Sequence, residues 1–274
     1  MSDPADFPGG IRVLVAGAAG RMGREVVRAV AAAEDMLLVG AVDRSHQGED
    51  AGTLAGVGEV GVAIEGDLAE AIAARLPEVM VDFTLPDSAP GNIEAALRRG
   101  VSPVVGTTGL GAPELERIGA LCAETGVPAL VAPNFAVGAV LMMEFAARAA
   151  RHLPDVEIIE LHHDRKLDSP SGTAMLTAAR IAAARGRPTA RQPSGAVERA
   201  PGARGAQADG VHIHSVRLPG LVAHQEVIFG GPGQTLTLRH DSLDRASFMP
   251  GVLLGIRRVR ELSGLVVGLE SLLD

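Results

Sequence analysis

Tryptophan and tyrosine are absent from these 274 residues, and six Phe supply every aromatic side chain. The formal net charge is −8 and no basic stripe offsets it, so neither the electrostatics nor the stacking platform of a nonspecific nucleic-acid binder is present. The core must therefore be built from Ala, Val, Leu and Ile. A single cysteine, Cys122, excludes an internal disulfide and fits a reducing cytoplasm. It sits in an apolar helical run and reads as inert core. No apolar run approaches the length needed to cross a bilayer, so no membrane partner is expected. The opening MSDPADFPGG is acidic and rich in Pro and Gly where a secretory signal is basic and then apolar, and reads as a flexible lead-in. HExxH and CxxC patterns are missing too. His212 and His214 have the spacing of one strand face but no further ligand pattern beside them, so no metal is expected.

Lysine is nearly missing: 24 Arg accompany one Lys, Lys166. Arg stays charged, whereas Lys can be desolvated and give up a proton, so its retention at one position suggests an acid catalyst. Its surroundings support that. Residues 158–173, IIELHHDRKLDSPSGT, gather two His, the Lys and a helix start into one short stretch. If Ile158 to His163 is a strand, His162 and His163 point to opposite faces and do not share a metal. After Pro170, the run Ser171-Gly172-Thr173-Ala174 begins a helix. The N–H groups at Gly172 and Thr173, with the helix dipole behind them, suit a carboxylate or phosphate.

The length allows two moderate domains. Ile11 to Ala16 is a short apolar strand feeding GAAGRMG, Gly17 to Gly23, and then a helix with Met22, Val26, Val27 and Val30 at helical spacing. That context is what a dinucleotide-binding turn requires, although GxxGxxG departs from the commoner spacing. The next strand, Met36 to Val42, ends in Asp43-Arg44. The acid suits the ribose hydroxyl of NAD and the Arg the 2′-phosphate of NADP. Helices over 68–76, 93–99 and 114–124 then alternate with strands at 79–83, 104–105 and 129–131, which implies a parallel sheet with ligands beyond its carboxyl ends. Three of those ends carry VDFTLP, VGTTG and APNF; Gly106, Thr107 and Thr108 can offer backbone and hydroxyl groups there, and Asn134 can bond both ways. A helix over 136–153 is the expected connector, and 185–210 reads as an exposed loop. Strand-like runs at 211–218, 224–229 and 235–240, joined by short links, are expected to be antiparallel and to share a second sheet with 156–162. The amphipathic run 248–262 is expected to return to the first domain.

Taken together, GAAGRMG, VDFTLPD, GTTG, APNF, ELHHDRK followed by SPSGTA, and FGGPGQTLTLRHDSLDRASF resemble the 4-hydroxy-tetrahydrodipicolinate (dihydrodipicolinate) reductase family, in order and over nearly the whole chain. ELHHxxKxDxPSGTA is the specific part. The resemblance implies an α/β protein with a Rossmann-type parallel-sheet domain, residues 1–133 completed by 242–274. It further implies an α+β substrate-binding and oligomerisation domain, 134–241, with a mixed or antiparallel sheet and a homotetramer formed through it. Gly17, Ala18, Ala19, Gly20, Arg21 and Met22 would wrap the pyrophosphate of NADH or NADPH, and Asp43 and Arg44 would meet the adenosine ribose. Gly106, Thr107 and Thr108, with Ala132, Pro133, Asn134 and Phe135, would bound the nicotinamide. His162 and Lys166 would deliver a proton, and His163, Gly172 and Thr173 would bind a cyclic dicarboxylate. The implied reaction is the NAD(P)H-dependent reduction of diaminopimelate and lysine biosynthesis, in the cytoplasm. Residues alone leave open a related two-domain dehydrogenase or a dinucleotide sensor without catalysis.

Overall fold

The computed structural model describes residues 9–186 and 197–273. The chain begins with β1 (Ile11–Ala16), α1 (Arg21–Ala32), β2 (Met36–Val42), α2 (Ala51–Ala55), β3 (Ile64–Glu65) and α3 (Leu68–Arg75). It continues through β4 (Val79–Asp82), α4 (Ala89–Leu97), β5 (Ser102–Val105), α5 (Ala112–Thr125) and β6 (Ala129–Val131). Next come α6 (Val137–Ala150), β7 (Asp155–His162), α7 (Gly172–Arg185), β8 (Ala206–Ala208), β9 (Val211–Arg217), β10 (Ala223–Gly231) and β11 (Gln234–Ser242). Helix α8 (Met249–Arg258), β12 (Leu265–Val267) and a 3-10 turn (Glu270–Leu272) close the described chain. Two compact units result, divided at Phe135/Ala136 and Ser247/Phe248, with the C-terminal segment belonging to the first.

In the first unit a seven-stranded sheet has the order β12-β6-β5-β4-β1-β2-β3, with all pairs parallel. Strands buried on both faces need apolar residues throughout, and Val13, Leu14, Val15 and Ala16 are all buried. Leu14 and Ala16 pack with Ala71 and Ile72 of α3 and Ala96 of α4. Helices α1 and α8 also pack against β1. Reversal of the winding at β1 and β4 places the carboxyl ends of these strands side by side, the position at which such sheets take ligands.

The second unit has a five-stranded mixed sheet, β11-β10-β7-β9-β8. Val156 and Ile158 of β7, Val211 and Ile213 of β9, and Val227 and Phe229 of β10 are buried with Met142 and Ala146 of α6 and Ala174, Ala178 and Ile181 of α7. Both helices therefore cover one face. The opposite face carries Ile159, Leu161 and Ile228, half-buried among the Glu157–His214 and Glu226–Arg239 ion pairs.

Several sequence expectations need correction. The short 218–222 link predicts a hairpin, but β9 and β10 lie on either side of β7, with β9 parallel to it and β10 antiparallel. Leu218 N–H bonds the His162 carbonyl as the link passes the end of β7. Strand β7 stops at His162, so His163 lies past the regular alternation. The presumed loop 185–210 begins in α7 and contains β8, paired antiparallel with β9. Its residues 187–196, like 1–8 of the lead-in, lie outside the described residues. The connector helix is shorter than 136–153 suggests, and the final amphipathic run becomes α8 followed by a turn of 3-10 helix.

Candidate active site

The glycine-rich turn is shaped by close backbone approach. Gly17 adopts φ +79, and a Cβ there would stand 2.6 Å from the Phe83 carbonyl oxygen. At Gly23 a Cβ would come within 1.9 Å of the Gly17 carbonyl oxygen, so α1 starts directly on the turn. The N–H groups of Gly17 and Ala18 donate to the Val42 carbonyl at 2.8 and 3.1 Å, tying the turn to the end of β2. Helix α1 has Gly20 at its N-cap, no side-chain cap and no acid in its first turn. Its positive end therefore lacks a neutralising group of its own, and the turn fits a dinucleotide pyrophosphate. Gly20 and Arg21 are exposed, Met22 is half-buried, and Ala18 and Ala19 are buried. Gly23→Ala is expected to cost about 1–3 kcal/mol through overpacking. A lowered urea midpoint would show it; an unchanged midpoint would mean that the turn yields freely.

Asp43 is partly committed. Its Oδ2 accepts the Ala19 N–H at 3.0 Å, and its Oδ1 accepts the N–H and hydroxyl of Ser45 at 2.9 and 2.8 Å. The acid thus fixes the glycine-rich turn as well as lying where a ribose belongs. Arg44 is exposed and donates to Ser88 Oγ at 3.0 Å. A cavity of about 380 Å³ brings Gly17, Gly20, Asp43, Arg44, Thr84 and Leu85 together. This size and mixed lining suit the adenosine end of a dinucleotide.

Along the sheet edge, β4 ends in Asp82, whose side chain is fully buried. Its carboxylate accepts from Thr84 N–H and hydroxyl, the Asn92 amide and the Thr107 hydroxyl, at 3.0, 2.8, 2.8 and 2.7 Å. The Thr107 hydroxyl donor is thus committed inside the protein, and its oxygen lone pairs and the backbone are what that position can offer a ligand. The Phe83 ring lies on Gly106, where a Cβ would meet it at 2.1 Å, and stacks obliquely on Phe135 with centroids 5.9 Å apart. Thr108 and Pro133 are exposed, Asn134 half-buried, and Ala132 and Phe135 buried. These residues cap β5 and β6.

In the second unit the alternation of β7 places Glu160 and His162 on the face that holds Ile158. Glu160 is wholly buried, yet it is surrounded by donors. His162 Nδ1 lies 2.5 Å from Oε2, the Arg217 guanidinium donates to both oxygens at 2.9 and 2.8 Å, and Ser171 N–H reaches Oε1 at 3.2 Å. Burial raises the carboxyl's pKa, but hydrogen bonds from His162, Arg217 and Ser215 outweigh it and hold it at about 2. Lys166 Nζ grips both oxygens of Asp168 at 2.7 and 2.9 Å, and this holds the Asp168 carboxyl below its usual range. The Asp168 carbonyl in turn accepts from Arg217 at 2.7 Å. Ser171 caps α7 through the Ala174 N–H, so Gly172 and Thr173 occupy the first turn. His163 Nδ1 is buried with no hydrogen-bond partner. Among the described residues, no group of three or more His, Cys, Asp or Glu is placed to hold a metal.

Glu160 and Arg217 are missing from the sequence-based set. Glu160 had a usable signal, an acid two residues before His162 and hence on its face. Arg217 had none, because only the β7/β9 register makes it the partner of His162.

Two family models match the chain, one described as the N-terminus of dihydrodipicolinate reductase over residues 11–135 and the other as its C-terminus over 138–273. The 4-hydroxy-tetrahydrodipicolinate reductase of Moorella thermoacetica is 56% identical, covering 96% of this chain and 98% of its own. That of Geobacillus kaustophilus is 52% identical, covering 96% and 99%. A solved structure of dipicolinate-bound dihydrodipicolinate reductase from Paenisporosarcina sp. TG-14 matches with a TM-score of 0.85 and 45% identity, over 96% of this chain and 99% of that one. An amine dehydrogenase from Mycobacterium smegmatis, at 18% identity and a TM-score of 0.64 over 93% and 94% of the two chains, shares the fold alone.

Proposed function

The chain belongs to the dihydrodipicolinate reductase family, and we propose that it reduces 4-hydroxy-tetrahydrodipicolinate to tetrahydrodipicolinate, the step of diaminopimelate and lysine biosynthesis, in the cytoplasm. The observation that carries this reading is the ELHHDRKLDSPSGTA segment folded as one unit, with two candidate proton donors, His162 and Lys166, preceding a helix N-terminus. In the overall change water leaves, a hydride adds at ring C4 and a proton at C3, which balances the reaction. NADH or NADPH supplies the hydride. Gly17 to Met22 hold its pyrophosphate, Asp43 and Arg44 its adenosine ribose, and Gly106 to Thr108 with Ala132 to Phe135 bound its nicotinamide. Arg44 offers charge to a 2′-phosphate and Asp43 an acceptor to a ribose hydroxyl, so both cofactors serve.

The protein's own groups then handle charge and protons. A cyclic dicarboxylate carries two negative charges. His163 and the first-turn N–H groups of Gly172 and Thr173 bind the carboxylates, with the positive end of α7 behind them. His162 and Lys166 deliver the proton to C3. The assay generates substrate in situ from pyruvate and aspartate semialdehyde with the preceding synthase, and follows loss of the reduced cofactor with NADH and NADPH separately. Substrate-dependent oxidation is expected. Binding of cofactor without oxidation of either one would overturn the reading in favour of a dinucleotide sensor.

The sheet face of the second unit opposite α6 and α7, which carries Ile159, Leu161 and Ile228, supports a homotetramer. Light scattering is expected to give about four times the 28.1 kDa chain mass. A monomer mass would contradict it.

A further inference from the structure

Two groups at the candidate site have no part in the proton transfer as described, yet its proposed donors depend on them. Glu160 has no solvent exposure, and Arg217 forms a fork on it through both terminal nitrogens. Stability is a poor reason for such a pair, because desolvating two charges costs about as much as their attraction returns. Their connections suggest another reason. Glu160 Oε2 holds His162 Nδ1, while the same guanidinium also donates to the Asp168 carbonyl, and the Asp168 carboxylate holds Lys166.

We propose that the Glu160–Arg217 pair positions both proton donors: Glu160 keeps a proton on His162 Nδ1 so that Nε2 alone exchanges one with substrate, and Arg217 anchors the segment that carries Lys166. This rests on the reading of His162 and Lys166 as the donors. An ionised carboxylate can only accept, so the nitrogen facing it must carry hydrogen in both charge states of the ring. The Glu160 carboxyl stays ionised across any working pH, since its pKa lies at about 2. Donation therefore leaves the neutral Nδ1–H tautomer, ready to be recharged at Nε2. Arg217 suits its task for a related reason. Only a planar fork spans two carboxylate oxygens while also donating to two backbone carbonyls, here those of Val216 and Asp168 at 2.8 and 2.7 Å.

Nitrogen-15 NMR of histidine-labelled protein, with His162 assigned by its His162→Gln variant, reads the tautomer directly. The neutral ring is expected as Nδ1–H in the unaltered protein. Glu160→Gln, which can turn its amide N–H toward the ring, is expected to shift the tautomer toward Nε2–H. It should lower kcat by at least about tenfold, with KM and cofactor Kd within about twofold. Arg217→Lys keeps the charge and loses the fork, and a similar fall in kcat is expected. An Nε2–H tautomer in the unaltered, active protein overturns the proposal, as does a folded Glu160→Gln variant with kcat within twofold. If Glu160→Gln does not fold, the tautomer of the unaltered protein decides alone. Full activity in Arg217→Lys overturns the Arg217 half. Absence of turnover in the unaltered protein is a separate result, which defeats the reductase reading itself.

Discussion

Lys166→Ala lowers kcat by about a hundredfold or more, and His162→Ala does the same, while the Kd for NADH or NADPH stays within about twofold. The split follows from where these side chains sit. Both belong to the second unit, whereas the glycine-rich turn, Asp43 and Arg44 belong to the first. Lys166 brings an ammonium paired with the exposed carboxylate of Asp168, and a carboxylate of that kind can be exchanged for substrate at modest cost. Lys166→Arg is the sharper variant. It keeps the positive charge but holds a group that does not release its proton, so binding should survive better than turnover. Steady-state kinetics of the three variants beside fluorescence titration of reduced cofactor check this. A Lys166→Ala enzyme with kcat near that of the unaltered protein would remove Lys166 from the chemistry and leave it as one charge among many.

Arg217→Ala gives the largest expected loss of stability, about 3–5 kcal/mol, because it leaves Glu160 charged and buried without its fork. The pH dependence has a definite sign. The Glu160 carboxyl lies at about 2 in the folded protein against its ordinary 4.5, so the folded-state pKa is depressed. Its contribution, about 3 kcal/mol for a shift of that size, is fully present above pH 4.5 and is lost as the pH falls toward 2. Urea unfolding between those limits is the measurement. In Glu160→Gln the slope of stability against pH in that window should be markedly reduced. An identical slope in both proteins would show that other carboxylates carry the acid response and that the buried cluster contributes little.

Much of the first unit was legible because its signals are local. Gly17, Gly20 and Gly23 lie within seven residues at the turn into α1, and Asp43 directly follows the strand that the turn abuts. The central apolar strands of the sheet announce themselves by composition. What escaped depends on residues far apart in the chain. The segment 50–65 is folded around Asp50, whose carboxylate accepts the N–H groups of Thr53, Val60, Gly61 and Val62, and nothing in its composition marks α2 or β3. In the second sheet β7, β9, β10 and β11 are legible but β8 is not, nor is the strand order, since a short link usually joins paired strands and here it spans the end of β7. That pairing is what delivers Arg217 to Glu160. His162, His163 and Lys166 were visible as residue types at close spacing; the carboxylate that holds His162 was overlooked although it stood two residues away. The Thr107 hydroxyl bond to the buried Asp82 is likewise invisible in the sequence, because the two residues stand 25 apart and only the pairing of β4 with β5 brings the strand ends together.

Transfer of isotope from the reduced cofactor is the most direct measurement. The enzyme is supplied with NADH or NADPH carrying deuterium at nicotinamide C4 on the transferred face, with substrate generated in situ, and the product is trapped and examined by NMR. One deuterium at ring C4 and none at C3 is expected, with the label lost from the cofactor at the rate of turnover. Label retained on the cofactor, or found anywhere but C4, would contradict hydride reduction of this substrate by this protein.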